Sequence, residues 1–195
     1  AKILFHILKD QKKDVRLVGN IGNAILNEKK ISEKTIFVIE VSSYQIEYSK
    51  NFKANYAAIL NISPDHLERH GNLNNYVKAK FKLIKNQTNK DYAFFDIKNK
   101  YIKKFLNKNK LNSKIINVCK KSYLKEIYKI KNPYFYTNGN KENLRFIFSI
   151  ANKLKLKKKY LIKTINRFKG LNFRQQIIYN SKKLTVINDS KATSF

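Results

Sequence analysis

Apolar positions in this chain follow two rhythms in turn. Short continuous runs, such as Ile36–Val41 in "IFVIEV", are bounded by polar turns and read as strands buried on both faces. Longer stretches repeat their apolar residues every three or four positions, the period of an amphipathic helix. The pattern predicts strands at Val15–Val18, Ile36–Val41, Ala57–Ile62, Tyr92–Phe95 and Lys114–Val118. It predicts helices at Ile3–Lys9, Tyr44–Lys50, Leu73–Asn86, Asn99–Asn107, Lys141–Leu154 and Lys159–Phe168. Strand and helix alternate, which implies an α/β fold with a mostly parallel sheet flanked by helices. In "FKGLNFR" Gly170 ends the last helix, and "QQIIYNSKKLTVIND" beyond it reads as a β-hairpin turning around Asn180–Lys183. That change of rhythm places a domain boundary near Gly170, with residues 1–169 in one unit and 170–195 opening a second. No internal repeat is present.

One position breaks the helical rhythm. At about 100° per residue, Leu73, Tyr76, Val77, Phe81 and Ile84 share a stripe, and Lys78, Lys82 and Lys85 lie opposite. Lys80 projects into the middle of the apolar stripe, one turn from both Tyr76 and Ile84. Such a lysine either snorkels its amine past the stripe or stays desolvated, which lowers its pKa and leaves neutral amine available as a nucleophile. A neutral amine can add carbon dioxide to become a carbamate, exchanging a cation for a bidentate oxygen ligand.

Composition narrows the class. With 43% hydrophobic and 13% aromatic residues in 195, the chain can bury a sizeable core and is not a disordered polymer. No apolar run is long enough to cross a bilayer. The opening "AKILFHILKD" reads as a helix entered partway rather than as a signal peptide. The single cysteine, Cys119, excludes an internal disulfide and suits a reducing compartment. A formal charge of +29, from 42 basic and 13 acidic residues, admits two readings. One is a polyanion partner such as nucleic acid. The other is a compositional bias, since Lys, Asn and Ile are abundant together and all have A/T-rich codons. The lysines are scattered, with "KLKLKKKY" (Lys153 to Tyr160) the only dense run.

Glu40 and His66 lie near predicted carboxyl ends of strands, where open α/β sheets bind ligands. Glu40 sits among apolar residues in "IFVIEVSS", so its carboxylate needs a salt-bridge partner, a proton or a metal. In "NISPDHLERH", Pro64 stops the strand and Asp65 and His66 follow on the loop, as a turn cap and a hydrogen-bonded spectator or as ligands. With a carbamate at Lys80, Glu40 and His66 could hold Mg²⁺, which prefers oxygen donors and keeps water and phosphate in its shell. The five glycines form no G-x-x-x-x-G-K-[ST] phosphate loop, and "GNIG" (Gly19 to Gly22) reads as a tight turn or a close approach of backbone to a ligand.

Taken in order, "GNIGNAIL", "VIEVSSYQIE", "ILNISPDHLERHG", "YVKAKFKLI", "GNKENL", "KGLNFR" and "VINDSKATSF" resemble the Mur ligases across nearly the whole chain. These are ATP-dependent amino-acid-adding enzymes of bacterial peptidoglycan precursor synthesis. The acidic-SSYQ stretch and "NDSKATS" resemble the member that adds D-glutamate to UDP-N-acetylmuramoyl-L-alanine. "DHLERHG…YVKAK" is shared more widely, loosely even with folylpolyglutamate synthases. The resemblance implies a central ATPase-type domain followed by the first strands of a truncated, Rossmann-like C-terminal domain. It implies ATP and two Mg²⁺ ions, with Lys80 carbamylated and helping to hold one of them. Glu40 matches the carboxylate ligand of a magnesium between the ATP phosphates, and His66 matches a histidine sharing the second metal site near the reacting carboxylate. Asn140 and Asn143 match a pair near the adenine, although Gly139 stands where the family usually has a histidine. Arg174 matches a nucleotide contact, and Asp189, Lys191 and Thr193 fall in a loop facing nucleotide and substrate. Lys191 would share with Lys80 and His66 the stabilisation of the reacting groups. Asn20, Ser42 and Gln45 align with the muramoyl site. The implied reaction phosphorylates the carboxylate of UDP-N-acetylmuramoyl-L-alanine, and the amine of D-glutamate displaces phosphate from the acyl phosphate, in the cytoplasm. The family's phosphate loop and uridine-holding domain would precede Ala1 and most of the D-glutamate domain would follow Phe195, so this chain alone is expected to be inactive. A basic nucleic-acid-binding module is the alternative class, and it leaves Lys80, Glu40 and His66 without an explanation.

Overall fold

A computed structural model describes residues 1–119 and 126–192. Strand β1 (Val15–Gly19) pairs in parallel with β2 (Ile36–Glu40), from Val15 opposite Ile36 to Gly19 opposite Glu40. A second parallel sheet has the order β3 (Tyr56–Ile59), β4 (Tyr92–Phe95), β5 (Lys114–Asn117). The chain then closes on an antiparallel hairpin, β6 (Gln176–Asn180) and β7 (Thr185–Asn188), as its turn residues predict. The described helices are α1 (Lys2–Asp10), α2 (Ser43–Tyr48), α3 (Leu67–His70), α4 (Leu73–Phe81), α5 (Lys100–Lys108), α6 (Asn138–Lys153) and α7 (Lys158–Arg167).

Alternation along the strands assembles the layers. Ala57 and Ile59 of β3, with Ala93 and Phe95 of β4, face α4 and α5 and pack on Tyr76, Val77, Phe81 and Ile102. The intervening Ala58, Phe94 and Ile116 face α6 through Phe146 and Ile150. Both faces are covered, so the central strand β4 reads "YAFF" with no polar alternation. Its Phe94 and Phe95 are completely buried, each contributing roughly 1.5–3 kcal/mol of transfer free energy. A second core joins α1, α6 and α7 through Ile7, Leu144, Phe148, Leu161 and Ile165.

Three expectations needed adjusting. The strand expected over Ala57–Ile62 ends at Ile59, because its ladder partner β4 stops at Phe95. Ile62 is nevertheless buried, packed into the core from the loop. The helix from Leu73 is α-helical only to Phe81 and tightens into a 3₁₀ turn at Lys82–Ile84, a common way to finish a helix. Strand β2 is not enclosed on both faces. Only Val38 is buried and Glu40 is half-exposed, because β1 and β2 stand as a two-stranded sheet of their own.

Candidate functional site

Lys80 is held as its helical period predicts. Its neighbours Tyr76, Ala79, Phe81 and Ile84 are buried, while Lys78, Lys82 and Lys85 are exposed on the far side. The Lys80 ammonium lies 4.9 Å from the centre of the Tyr76 ring, a cation–π contact that stands in for water. Burial lowers its pKa, and the negative charge of Asp65 opposes that fall only in part. The same two influences act together on Tyr76, where burial and Asp65 push the phenol up to about 12.

Asp65 and His66 reach this position on a strained loop. His66 adopts a left-handed backbone with φ 52° and ψ 33° as it opens α3, a conformation that costs a non-glycine residue energy. Its main-chain N–H donates to Asp65 Oδ1 at 3.0 Å, and its Nε2 lies 3.5 Å from Asp65 Oδ2. The imidazole also packs 5.1 Å from Tyr44. Behind Tyr44 stands a residue that sequence reading passed over. His70 stacks on Tyr44 at 5.5 Å and tilts against Tyr76 at 5.3 Å, with Ser43 Oγ 3.1 Å from its Nε2. Glu47 Oε2 lies 3.9 Å from the other nitrogen. A cavity of about 220 Å³ opens beside it, lined by Glu47, Arg69, Asn75 and Lys78 among others. The available clue was the second histidine in "DHLERH", close enough in sequence to join the same corner.

Glu40 occupies a neighbouring corner. It ends β2 against the Gly19 turn, where the Asn20 N–H donates to the Glu40 carbonyl at 2.7 Å. A Cβ on Gly19, at φ +98°, would stand 2.3 Å from that carbonyl oxygen. Here glycine serves the close meeting of two strand ends, so "GNIG" acts as a tight turn. The Glu40 carboxylate lies at the amino end of α1, close enough to act on the backbone nitrogen of Ala1. Asp65, not Glu40, is the charge acting on Lys80. Ser42 and Gln45 form a reciprocal cap on α2: Gln45 N–H donates to Ser42 Oγ at 3.2 Å and Ser42 N–H to Gln45 Oε1 at 3.0 Å. Asn20 is exposed beside Glu40. Among the described residues no group of three or more His, Cys, Asp or Glu is arranged to hold a metal.

The second grouping forms around Tyr134, which lies just before α6. Burial raises its pKa; the main chain of Leu171, Arg174 and Asn140 pull it back down, and Asp189 pushes it up. One phenol thus meets Asn140, Arg174 and Asp189, three residues far apart in sequence. Asn140 is buried and donates from Nδ2 to the Tyr134 carbonyl at 2.7 Å. Asn143 is exposed one turn further along α6. Asp189 Oδ1 accepts from the Gln175 N–H at 3.1 Å, and Lys191 lays its ammonium 5.8 Å from the Phe173 ring. Thr193 lies outside the described residues. No sequence signal singles out Tyr134 in "NPYFYTNGN"; only the fold brings it under the hairpin.

Two groupings of polar residues on an α/β fold are compatible with many families. The sequence match decides among them, since residues 1–180 match the Mur ligase middle domain. This chain belongs to the Mur ligase family. The UDP-N-acetylmuramoylalanine–D-glutamate ligase of Rickettsia bellii is 31% identical over 98% of the chain and 47% of that protein. That of Clostridioides difficile is 30% identical over 100% of the chain and 47% of that protein. The chain thus spans about half the length of the curated relatives it matches. Among solved structures, MurF from Acinetobacter baumannii superposes with a TM-score of 0.71 at 14% identity, over 96% of this chain and 47% of that one. MurF from Thermotoga maritima, in complex with ADP, gives 0.66 at 16% identity over 96% and 49%. At such identities these two share the fold. Membership agrees with the ligase class that the ordered motifs implied. No described helix is long and apolar enough to cross a membrane.

Proposed function

We propose that this chain is the central, nucleotide-handling part of a cytoplasmic ATP-dependent ligase that joins D-glutamate to UDP-N-acetylmuramoyl-L-alanine. Relatives bearing that name align along 98–100% of the chain. The single observation that carries the chemistry is Lys80, a lysine kept beside an aromatic face, with its pKa lowered by burial, at the edge of the Asp65–His66 loop.

A lowered pKa enlarges the fraction of neutral amine at pH 7. That amine can attack carbon dioxide: a C–N bond forms, the nitrogen gives up a proton to water, and Lys80 becomes an anionic carbamate. The position then presents oxygen donors beside the Asp65 carboxylate and the His66 imidazole, a set suited to Mg²⁺. Glu40, at the amino end of α1, is a further carboxylate for a second ion. Bound there, magnesium would supply charge neutralisation to the phosphates of ATP.

The protein's own part is mostly positional, as expected for phosphoryl transfer. The carboxylate of UDP-N-acetylmuramoyl-L-alanine takes the γ-phosphoryl group and ADP departs. The D-glutamate amine then attacks the acyl phosphate, and phosphate leaves from the tetrahedral intermediate. In this proposal His66 faces the reacting carboxylate, while Arg174, Asp189, Asn140 and Asn143 serve the nucleotide; the grouping of the first three near Tyr134 supports that reading. Lys191, in the segment after β7, adds a positive charge for the phosphates. Asn20, Ser42 and Gln45 line the muramoyl side, so the α2 cap doubles as a binding edge. In this reading the ligase domains meet near Gly170, and residues 1–195 do not ligate by themselves.

The test uses the full-length protein that carries this chain. Lys80→Ala should abolish D-glutamate-dependent ADP release, and short carboxylates added to the assay should restore part of it by replacing the carbamate. Undiminished activity without carboxylate would show that Lys80 has no such role.

A further inference from the structure

A groove lies on the opposite side of α4 from the Tyr76 corner. It runs between α4 with its 3₁₀ extension and α5 into the segment before β5, with a volume of about 950 Å³. Its floor is apolar: Val77, Phe81, Phe105 and Leu111, with the Phe81 and Phe105 rings stacked 3.6 Å apart. Seven of its seventeen lining residues are lysines and none is acidic. Elsewhere the scarce carboxylates gather lysines to themselves, as Glu126 does with Lys129 and Lys158. Here the cations surround a hydrocarbon floor.

That combination specifies an occupant. A charged small metabolite has no use for the floor, and a flat membrane surface cannot follow a channel sunk between two helices. An amphipathic helix fits both features, since it presents an apolar stripe to a groove and a polar face to its rim. From Leu73 to Lys85 the groove wall is about 18 Å long at 1.5 Å per residue, or three to four turns of a guest helix. With lysines on both rims, charge complementarity requires acidic residues flanking the guest's stripe. We propose that the α4–α5 groove is a docking site for an acidic amphipathic helix of a partner protein.

The test is fluorescence anisotropy on the full-length protein that carries this chain, with a labelled synthetic helix of about fourteen residues, leucines at i, i+3, i+4 and i+7 and glutamates elsewhere. A scrambled peptide of the same composition serves as the control for bulk charge. The designed peptide should bind at least about tenfold more tightly than the scrambled one. Combining Lys85→Glu, Lys104→Glu and Lys108→Glu, all at exposed groove positions, should weaken it about tenfold. The same charge change at exposed Lys157, Lys159 and Lys163 should weaken it no more than about twofold. Equal affinity for the two peptides, or equal losses in the two triple variants, would overturn the proposal. So would binding to phosphatidylglycerol vesicles without binding to the designed peptide.

Discussion

Asp91 opens the turn into β4, and its side chain is only 2% exposed. Burial alone would raise its pKa. The Thr88 N–H and hydroxyl, Lys53 and Asn55 outweigh burial and carry it down to about 2, from an ordinary value of 3.8. A carboxyl whose folded pKa is depressed stabilises the fold above its unfolded pKa and loses that contribution as pH falls through the folded one. The shift amounts to about 2 kcal/mol at pH 7, falling to about 1 kcal/mol at pH 3, where the folded group is still mostly ionised. Asp91→Asn keeps the size of the side chain and removes the charge. Urea unfolding of both proteins at pH 7 and pH 3 should therefore show a deficit in the variant that shrinks roughly by half on acidification. A deficit that stays constant, or grows, between the two pH values would show that charge is not what Asp91 contributes.

Two further outcomes follow from the same kind of reasoning. A side chain at residue 170 would have to take up φ +79° and place its Cβ 2.7 Å from the Tyr134 ring. Gly170→Ala should lower stability by roughly 1–3 kcal/mol in urea unfolding, and an unchanged midpoint would mean that the ring gives way freely. Asp65→Asn should lower the pKa values of both Lys80 and Tyr76, because Asp65 raises each of them. Titrating isotopically methylated lysine by NMR and tyrosine by absorbance checks this, and a Lys80 pKa that rises would place Asp65 elsewhere.

The inward aim of Lys80 was legible because an α-helix converts spacing directly into direction. The strands were legible for a similar reason, since apolar runs as short as "YAFF" have few other uses. What stayed hidden depends on parts of the fold that sequence spacing does not report. Helix α3 has four residues and starts from a left-handed His66, so no periodic pattern announces it. The exposure of Glu40 follows from the splitting of the strands into separate sheets, which apolar content does not encode. Tyr134 gains its place from a hairpin some forty residues later in the chain.

The tie between α6 and the chain leading into the hairpin has a mechanical meaning. Thr137 Oγ1 caps α6 and also donates to Gln175 Oε1 at 2.5 Å, while the Tyr134 ring fills the space that Gly170 leaves open. A swing of β6 and β7 about this segment has to break the first contact and unseat the second. Thr137 lies within one helical turn of Asn140, and the Tyr134 carbonyl accepts from Asn140 Nδ2. The segment leading into the hairpin and the amino end of α6 thus share their fastenings, so motion at one registers at the other without any intervening relay.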